Sequence, residues 1–309
     1  MSKKNFASSL ILLLTAAIWG FAFVAQKTGM DHVGPFTFNA FRFSIGACCV
    51  LAFSIIMDKR KLLSGTPAEH PYFVNKKPDK QLFTAGILCG LCLFTGSSLQ
   101  QVALQFTTVS KCSFITAMYM VMVPIISVLL RKKISANSWI GVILSATGFY
   151  FLCLLPGELS MNLGDLLTLL GSLFWAVQIM VIDHYVSKTD GVKMAALQFI
   201  ITAILSIIFS LVLESFTLSD ILSAAVPILY GGFLSVGVAF TLQIVGQKNT
   251  PPTLASLILS LESVFAVVGG AWILGESLTS RETLGCILIF AGVLAAQIPV
   301  QTFLRKRQK

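Results

Sequence analysis

Charged residues are scarce in this sequence. Asp and Glu number 13 and Lys and Arg 22 among 309 residues, so only 11% of the chain is charged, whereas 56% is hydrophobic. An average soluble domain has about 25% charged residues. The composition therefore excludes an ordinary globular protein and indicates an integral membrane protein.

The sequence also lacks most of what enzymes use. It contains three histidines, all in predicted loops or helix ends, and neither a carboxylate cluster nor a G-x-x-x-x-G-K-[ST] motif for nucleotide phosphates. The seven cysteines lie within or at the ends of apolar segments, and Cys89 and Cys92 have no histidine or second cysteine pair nearby. We interpret the cysteines as packing residues. The expectation is a protein that is not an enzyme, with no cofactor and no metal.

Ten apolar stretches are each long enough, at about 20 residues, to cross a hydrocarbon layer of ~30 Å. The first stretch follows Lys3 and Lys4 as a signal peptide would, but it contains Trp19 and Gly20 and has a counterpart later in the chain, so we interpret it as a helix. The fold expected is an all-α integral membrane protein with ten transmembrane helices. The stretches cover residues 7 to 26, 36 to 56, 82 to 104, 111 to 130, 138 to 155, 163 to 186, 194 to 213, 221 to 246, 254 to 274 and 283 to 301.

The net charge of +9 follows the helix ends rather than forming a nucleic-acid-binding patch. If both termini are cytoplasmic, 18 of the 22 basic residues lie on the cytoplasmic side and three in outer turns, which leaves Arg42 inside the second helix. This asymmetry satisfies the positive-inside rule. We expect a multi-pass protein of the plasma (inner) membrane with both termini cytoplasmic, in contact with lipid and not with nucleic acid.

The two halves of the chain resemble each other at nearly fixed offsets. The offset is 156 in the first two helices, 143 in the next two and 144 in the fifth, and an odd number of helices in each half inverts the second half in the membrane. We expect two inverted five-helix repeats, residues 1–156 and 157–309, with a solute site between them at mid-membrane and alternating access. Matched pairs include Trp19 and Trp175, Phe43 and Phe199, Ser54 and Ser210, Gln100 and Gln243, Tyr119 and Glu262, Gly141 and Gly285, and Gly148 and Gly292.

Several segments are similar to one known family. The stretches AAIWGFAFVAQK, FNAFRFSIGA, LQFTTVSKCSFITAMYMVMVPII and ASLILSLESVFAVVGGAWILGESLTSRETLGCILIFAGVL resemble the EamA branch of the drug/metabolite transporter superfamily over essentially the whole chain. Glu262, the Gly275-Glu276 pair and Gly285 lie where the family pattern has them, whereas Arg131 to Lys133 replace the Gly-Glu expected after the fourth helix. The resemblance implies ten helices and transport of small metabolites, commonly outward; the family's solutes include amino acids, nucleosides, sugars and toxic compounds.

Polar and aromatic residues deep in the helices are candidates for the solute site, because burying polar groups in a membrane costs free energy. Glu262 either holds a cationic group or exchanges a proton, or it is a structural carboxyl group bonded to neighbouring helices. Its repeat partner Tyr119 has a phenol at the equivalent position. The full set of substrate-binding candidates is Trp19, Gln100, Gln101, Tyr119, Trp175, Gln178, Gln243 and Glu262.

The other candidates also have two interpretations. The glutamines bind a neutral polar or zwitterionic solute, or they hydrogen-bond the helices to one another. The tryptophans line a cavity or anchor the protein at the lipid interface. Arg42 attracts a substrate carboxylate or forms an outer ion pair, or its side chain extends to the headgroups, and we favour the last of these. Pro124 and Gly269-Gly270 are candidate hinges.

The function expected is secondary transport, in the export direction, of a small amino acid-like or other amphipathic polar solute. Protons are a candidate coupling partner, and the sequence does not determine the oligomeric state. The alternatives are a membrane-embedded receptor, scaffold or enzyme that transports nothing.

Overall fold

The computed structural model describes residues 3–64, 72–74, 77–153, 162–274 and 279–297. Almost all of these residues are helical. In the loop that follows the second helix, strands β1 (Phe73–Val74) and β2 (Lys77–Pro78) form one short antiparallel pair. The prediction of an all-α protein is confirmed.

The helices of the first half are α1 (Lys3–Gly29), α2 (Pro35–Leu63), α3 (Lys80–Ala103), α4 (Val109–Thr116), α5 (Tyr119–Leu129) and α6 (Ala136–Cys153). The helices of the second half are α7 (Leu163–Tyr185), α8 (Gly191–Leu213), α9 (Leu218–Ser223), α10 (Ala225–Leu229), a π-helical segment (Tyr230–Phe240), α11 (Thr241–Gln247), α12 (Pro252–Leu259), α13 (Glu262–Leu274) and α14 (Ser280–Gln297).

Eight helical stretches among the described residues are long and apolar enough to cross a membrane. Three of them join consecutive elements: α4 with α5, α10 with α11 through the π-helical segment, and α12 with α13. The remaining two predicted windows correspond to α6 and α14, which are not among the eight. A multi-pass architecture follows from these lengths, and the count of ten stays a prediction.

Two of the helical stretches are interrupted at positions that the sequence analysis did not predict. The first interruption is at Ala117–Met118 and the second at Ser260–Leu261, one repeat offset of 143 apart. Pro124 lies inside α5 and Gly269 inside α13, each beyond its interruption. The helices are thus broken about two turns before the predicted hinges, whose role stays a prediction.

Helices from the two halves pack directly against one another. The main partners are α6 with α14, α2 with α8, α3 with α7 and α8, and α1 with α13. A Cβ atom added to Gly141 would lie 2.7 Å from the Gly292 carbonyl oxygen, and one added to Gly148 would lie 2.7 Å from that of Gly285. The backbones of α6 and α14 are thus in antiparallel contact, which only glycine permits at these positions.

Ion pairs join helix ends that the sequence analysis assigns to the same membrane face. Lys132 binds Asp183 at 2.5 Å, both at ends predicted to be cytoplasmic. Lys111 binds the buried Asp165 at 2.6 Å, both at ends predicted to be outside. Large apolar side chains such as Leu211 cover the outer faces of the helices and are exposed, as lipid-facing residues are.

Candidate functional site

A cavity of about 490 Å³ lies at the centre of the bundle, where helices of both halves meet. Its wall combines aromatic rings, amides and two ionisable groups of opposite charge. The lining residues are Trp19, Phe23, Gln26, Arg42, Gln100, Thr116, Tyr119, Trp175, Gln178, Ile179, Ser235, Phe240, Gln243, Leu259 and Glu262.

Seven of the eight predicted site residues line this cavity: Trp19, Gln100, Tyr119, Trp175, Gln178, Gln243 and Glu262. Gln101 is not among the lining residues. It is fully buried, and its amide nitrogen donates to the backbone carbonyl of Gln26 at 3.2 Å. This bond joins α3 to α1, as the alternative structural interpretation of the glutamines requires.

Glu262 is the first residue of α13, directly after the interruption at Ser260–Leu261. The side chain is 5% exposed and accepts a hydrogen bond of 3.0 Å from the Tyr119 hydroxyl. A carboxylate at a helix N-terminus interacts favourably with the free backbone N–H groups and the helix dipole. Among the described residues, the hydrogen bond to the Glu262 carboxyl group comes from the Tyr119 side chain rather than from the backbone.

Arg42 is 3% exposed and lines the same cavity. Its Nε donates to the Asn39 side-chain oxygen at 2.9 Å, and its guanidinium lies 4.9 Å from the Phe43 ring centroid and 5.6 Å from that of Phe38. It forms no ion pair with any residue that the structure describes. The favoured interpretation, that Arg42 extends to the lipid headgroups, is wrong because the side chain is enclosed by its own helix and the bundle interior.

Three aromatic rings form one wall of the cavity. The rings of Trp19 and Phe240 are 4.5 Å apart, and those of Trp175 and Phe240 are stacked at 5.7 Å with an interplanar angle of 20°. Trp19 donates its indole N–H to the Ser235 carbonyl at 3.4 Å, whereas the buried indole N–H of Trp175 has no partner among the described residues. Both tryptophans thus line the cavity rather than anchor the protein at the lipid interface.

The glutamines of the second half form a chain of hydrogen bonds. Gln243 donates to Gln178 at 3.3 Å, and Gln178 donates to Gln198 at 3.2 Å. The side-chain oxygen of Gln243 is buried and has no partner among the residues described. Gln100 donates to Thr116 at 2.9 Å. These amides therefore hold helices together and also leave one acceptor at the cavity for a further donor.

Sequence reasoning missed several lining residues, and helical spacing is the signal that could have found some of them. Phe23 and Gln26 follow Trp19 at i+4 and i+7, so all three lie on one face of α1. Thr116 precedes Tyr119, and Phe240 precedes Gln243, by three residues each. No group of three or more potential metal ligands occurs in the part of the chain that the structure describes.

Comparison with known proteins decides the family. The model of the EamA-like transporter family matches residues 7–154 and 162–296. The chain belongs to the EamA-like transporter family. Its two matched segments divide the sequence close to the boundary proposed between the two repeats.

Relatives of this EamA-like chain are named as transporters. An uncharacterized transporter of Archaeoglobus fulgidus is 32% identical over 96% of this chain and 88% of its own length. The uncharacterized transporter YoaV of Bacillus subtilis is 25% identical over 96% and 97% of the two chains. The uncharacterized inner membrane transporter YedA of Escherichia coli is 25% identical over 90% and 86%. The protein is therefore a membrane transporter with a small-molecule substrate.

A solved crystal structure shares the fold. It superposes with a TM-score of 0.75 over 94% of this chain and 98% of the other, at 17% sequence identity. At this level of identity the similarity concerns the fold and not the solute.

Proposed function

We propose that this protein is a secondary transporter that exports a small solute carrying both an anionic and a cationic group, by alternating access. One observation carries the proposal. Arg42 and Glu262 line one cavity, both are buried, and neither forms an ion pair with any residue the structure describes.

The energetics support a solute with two opposite charges. A charged side chain at the centre of a membrane costs about 2.5–3.5 kcal/mol or more, and buried charges in proteins are normally paired. A carboxylate on the solute would compensate Arg42, and a solute ammonium group would compensate Glu262. An amino acid-like solute has both groups and no net charge, so it would enter the cavity without adding one.

The aromatic wall supports an apolar part on the same solute. Trp19, Trp175 and Phe240 offer ring faces and edges, which favour aromatic or aliphatic groups and also a nearby ammonium group. The free side-chain oxygen of Gln243 adds an acceptor. Pockets that combine apolar walls with a few placed polar groups are typical of small-molecule sites.

Glu262 is the proposed coupling residue. Its carboxyl group would bind either the solute's cationic group or a proton, one at a time, while the Tyr119 hydroxyl holds one of its oxygens in place. Such competition would let a proton gradient drive the solute. The absence of a phosphate-binding motif in the sequence supports a gradient as the source of energy.

The inverted repeat is proposed on the pairing of equivalent residues. Tyr119 and Glu262 are separated by the repeat offset of 143 and hydrogen-bond to each other, which happens when a residue and its repeat equivalent lie beside a two-fold axis. The offset of 144 relates Gly141 to Gly285 and Gly148 to Gly292. It therefore converts the contact of Gly141 with Gly292 into the contact of Gly285 with Gly148, as a two-fold axis would. These contacts support repeats over residues 1–156 and 157–309 with ten spans, and halves that rock about a central site.

The proposed orientation has both termini cytoplasmic, in a plasma or inner membrane. The 18-to-3 distribution of basic residues supports it. A reporter fused after Lys309 should be active only in the cytoplasm. An externally active reporter would overturn the orientation.

Flux into proteoliposomes tests the function itself. Three probes share a phenyl ring and differ in charge: phenylalanine, phenethylamine and 3-phenylpropionate. Saturable, protein-dependent flux is expected to be greatest for phenylalanine, which has both charges. Transport of only the cation or only the anion would overturn the two-charge proposal, and no protein-dependent flux of any small solute would favour a receptor or scaffold.

A further inference from the structure

Two polar clusters, which we call clamps, join α2 to α8, one at each end of this helix pair. The first clamp consists of Thr37, Ser210 and Glu214. Glu214, at the C-terminal end of α8, accepts hydrogen bonds from the backbone N–H groups of Phe36 at 2.8 Å and Thr37 at 2.7 Å. The Thr37 hydroxyl also binds Glu214 and Ser210, each at 2.7 Å. The carboxylate thus caps the N-terminus of α2.

The second clamp consists of Ser54, Asp58, Tyr72 and Lys193. Lys193, in the first turn of α8, is 2% exposed and binds Asp58 of α2 at 2.7 Å. Its ammonium lies 5.4 Å from the centre of the Tyr72 ring, and the Tyr72 hydroxyl bonds to Ser54 at 2.8 Å. Burial raises the pKa of the Tyr72 phenol, so the ring stays neutral beside the cation.

The two clamps use the same three positions of the repeat. At the offset of 156, Thr37 corresponds to Lys193, Ser54 to Ser210 and Asp58 to Glu214. In each clamp an acidic residue near the C-terminal end of one helix binds the N-terminal end of the other. The chemistry differs, because one acidic residue meets backbone N–H groups and the other a lysine.

The charges of the second clamp are placed for pairing between helices rather than for the stability of each helix. Lys193 lies near the N-terminus of α8 and Asp58 near the C-terminus of α2, where a helix dipole favours the opposite charges. Glu214 is likewise at the C-terminal end of its own helix. Each acidic residue is thus unfavourable for its own helix and gains from its contact with the other helix, either with the N-terminal N–H groups of α2 or with Lys193.

Both clamps are closed in the same structure, as contacts inside one moving body would be. A transporter that alternates access opens its two faces in turn, so gates at opposite faces are closed together only in an occluded state, whereas contacts inside one moving body are closed in every state. We infer that α2 and α8, one from each repeat, move as a single rigid body that stays clamped at both ends throughout the cycle. This inference rests on the proposed function, since it concerns motion during transport.

The rigid body would carry one half of the solute site. Arg42 is on α2, whereas Glu262 is on α13, which packs against α1 and α4. A solute that contacts both groups would join the clamped pair to the rest of the bundle. Motion would then occur at the other surfaces of the pair, where α2 contacts the π-helical segment and α8 contacts α3. At the contact with α3, the Thr202 hydroxyl of α8 donates a hydrogen bond to the Gly90 carbonyl at 3.1 Å.

Disulfide trapping tests the inference without knowledge of the solute. One variant carries Thr37→Cys and Ser210→Cys, a second carries the repeat-equivalent Ser54→Cys and Lys193→Cys, and a third carries all four changes in the full chain. After brief oxidation, peptide mass spectrometry counts the disulfides in each molecule. Both disulfides are expected together in most molecules of the third variant. If each pair oxidises alone but molecules of the third variant carry one disulfide at most, or if neither pair oxidises, the inference is wrong.

Spin-label distances provide a second test that leaves the clamps intact. Ile55 on α2 and Ile208 on α8 are 43% and 50% exposed, so a spin label can be attached to each. Ile143 on α6 is 62% exposed and serves as the reference site outside the clamped pair. The distance from Ile55 to Ile208 should stay constant at pH 5 and pH 8, with and without phenylalanine, while the distance from Ile55 to Ile143 changes. A change in the first distance would overturn the rigid body and leave transport intact. No change in either, with no flux, would remove the proposed transport itself.

Discussion

Replacement of Arg42 by glutamine separates a solute-binding role from a structural one. Glutamine keeps a hydrogen-bond donor near Asn39 and removes the charge. Hydrogen bonds to charged groups contribute about 1.5–3 kcal/mol, and each 1.4 kcal/mol is about tenfold in affinity. If Arg42 binds the solute carboxylate, Arg42→Gln should weaken binding of phenylalanine and 3-phenylpropionate by roughly 10- to 150-fold. Binding of phenethylamine, which has no carboxylate, should be unchanged.

Ligand-dependent thermal stabilisation of the purified protein measures these affinities. The midpoint without ligand should not fall, because Arg42→Gln removes a buried charge that has no ion-pair partner among the described residues. Arg42→Lys is the matched control: it keeps the charge but loses the planar fork, so carboxylate binding should weaken less. An equal loss of affinity for all three probes, or a lower midpoint with unchanged affinities, would refute the assignment and make Arg42 structural.

Three further predictions concern the coupling residue, the helix packing and the second clamp. Glu262→Gln should weaken phenethylamine binding and abolish the response of flux to an imposed pH gradient; unaltered affinity and pH response would make the carboxyl group structural. In a thermal unfolding assay, Gly148→Ala should lower stability by about 1–3 kcal/mol, because the new methyl group would meet backbone atoms at 2.7 and 2.8 Å. Gly237→Ala is the control and should have little effect, because the nearest atom to its new methyl group is at 3.4 Å. Asp58→Lys and Lys193→Asp should each destabilise the protein. Breaking a fully buried pair costs about 3–5 kcal/mol, and the loss should be smaller here because Asp58 is 29% exposed. The double exchange should restore most of the stability, whereas additive losses would show that the pair does not interact.

Much of the site was predictable because the repeat relates its residues. The offset of 143 pairs Tyr119 with Glu262 from the amino-acid sequence alone, and the two residues hydrogen-bond. The offset of 156 pairs Trp19 with Trp175, and both line the cavity. Apolar length indicated the spans, because crossing a bilayer requires about 20 residues whatever the neighbours are.

Other features depend on tertiary packing and have no local signal. Arg42 is enclosed because Asn39, Phe38 and Phe43 surround it, and the same residue on a rotated helix would reach the headgroups. The interruption at Ala117–Met118 contains no proline or glycine, so composition could not locate it. Gln101 lies outside the cavity wall although it follows Gln100, because consecutive helical residues point about 100° apart and do not share a face.

A structure of the protein with phenylalanine bound tests the central claim most directly. The account predicts the solute in the central cavity, with its carboxylate within hydrogen-bond distance of the Arg42 guanidinium and its ammonium within hydrogen-bond distance of a Glu262 carboxylate oxygen. The phenyl ring should lie against Trp19, Trp175 or Phe240. Phenylalanine bound in the cavity in the opposite orientation, or bound outside the cavity altogether, would contradict the account.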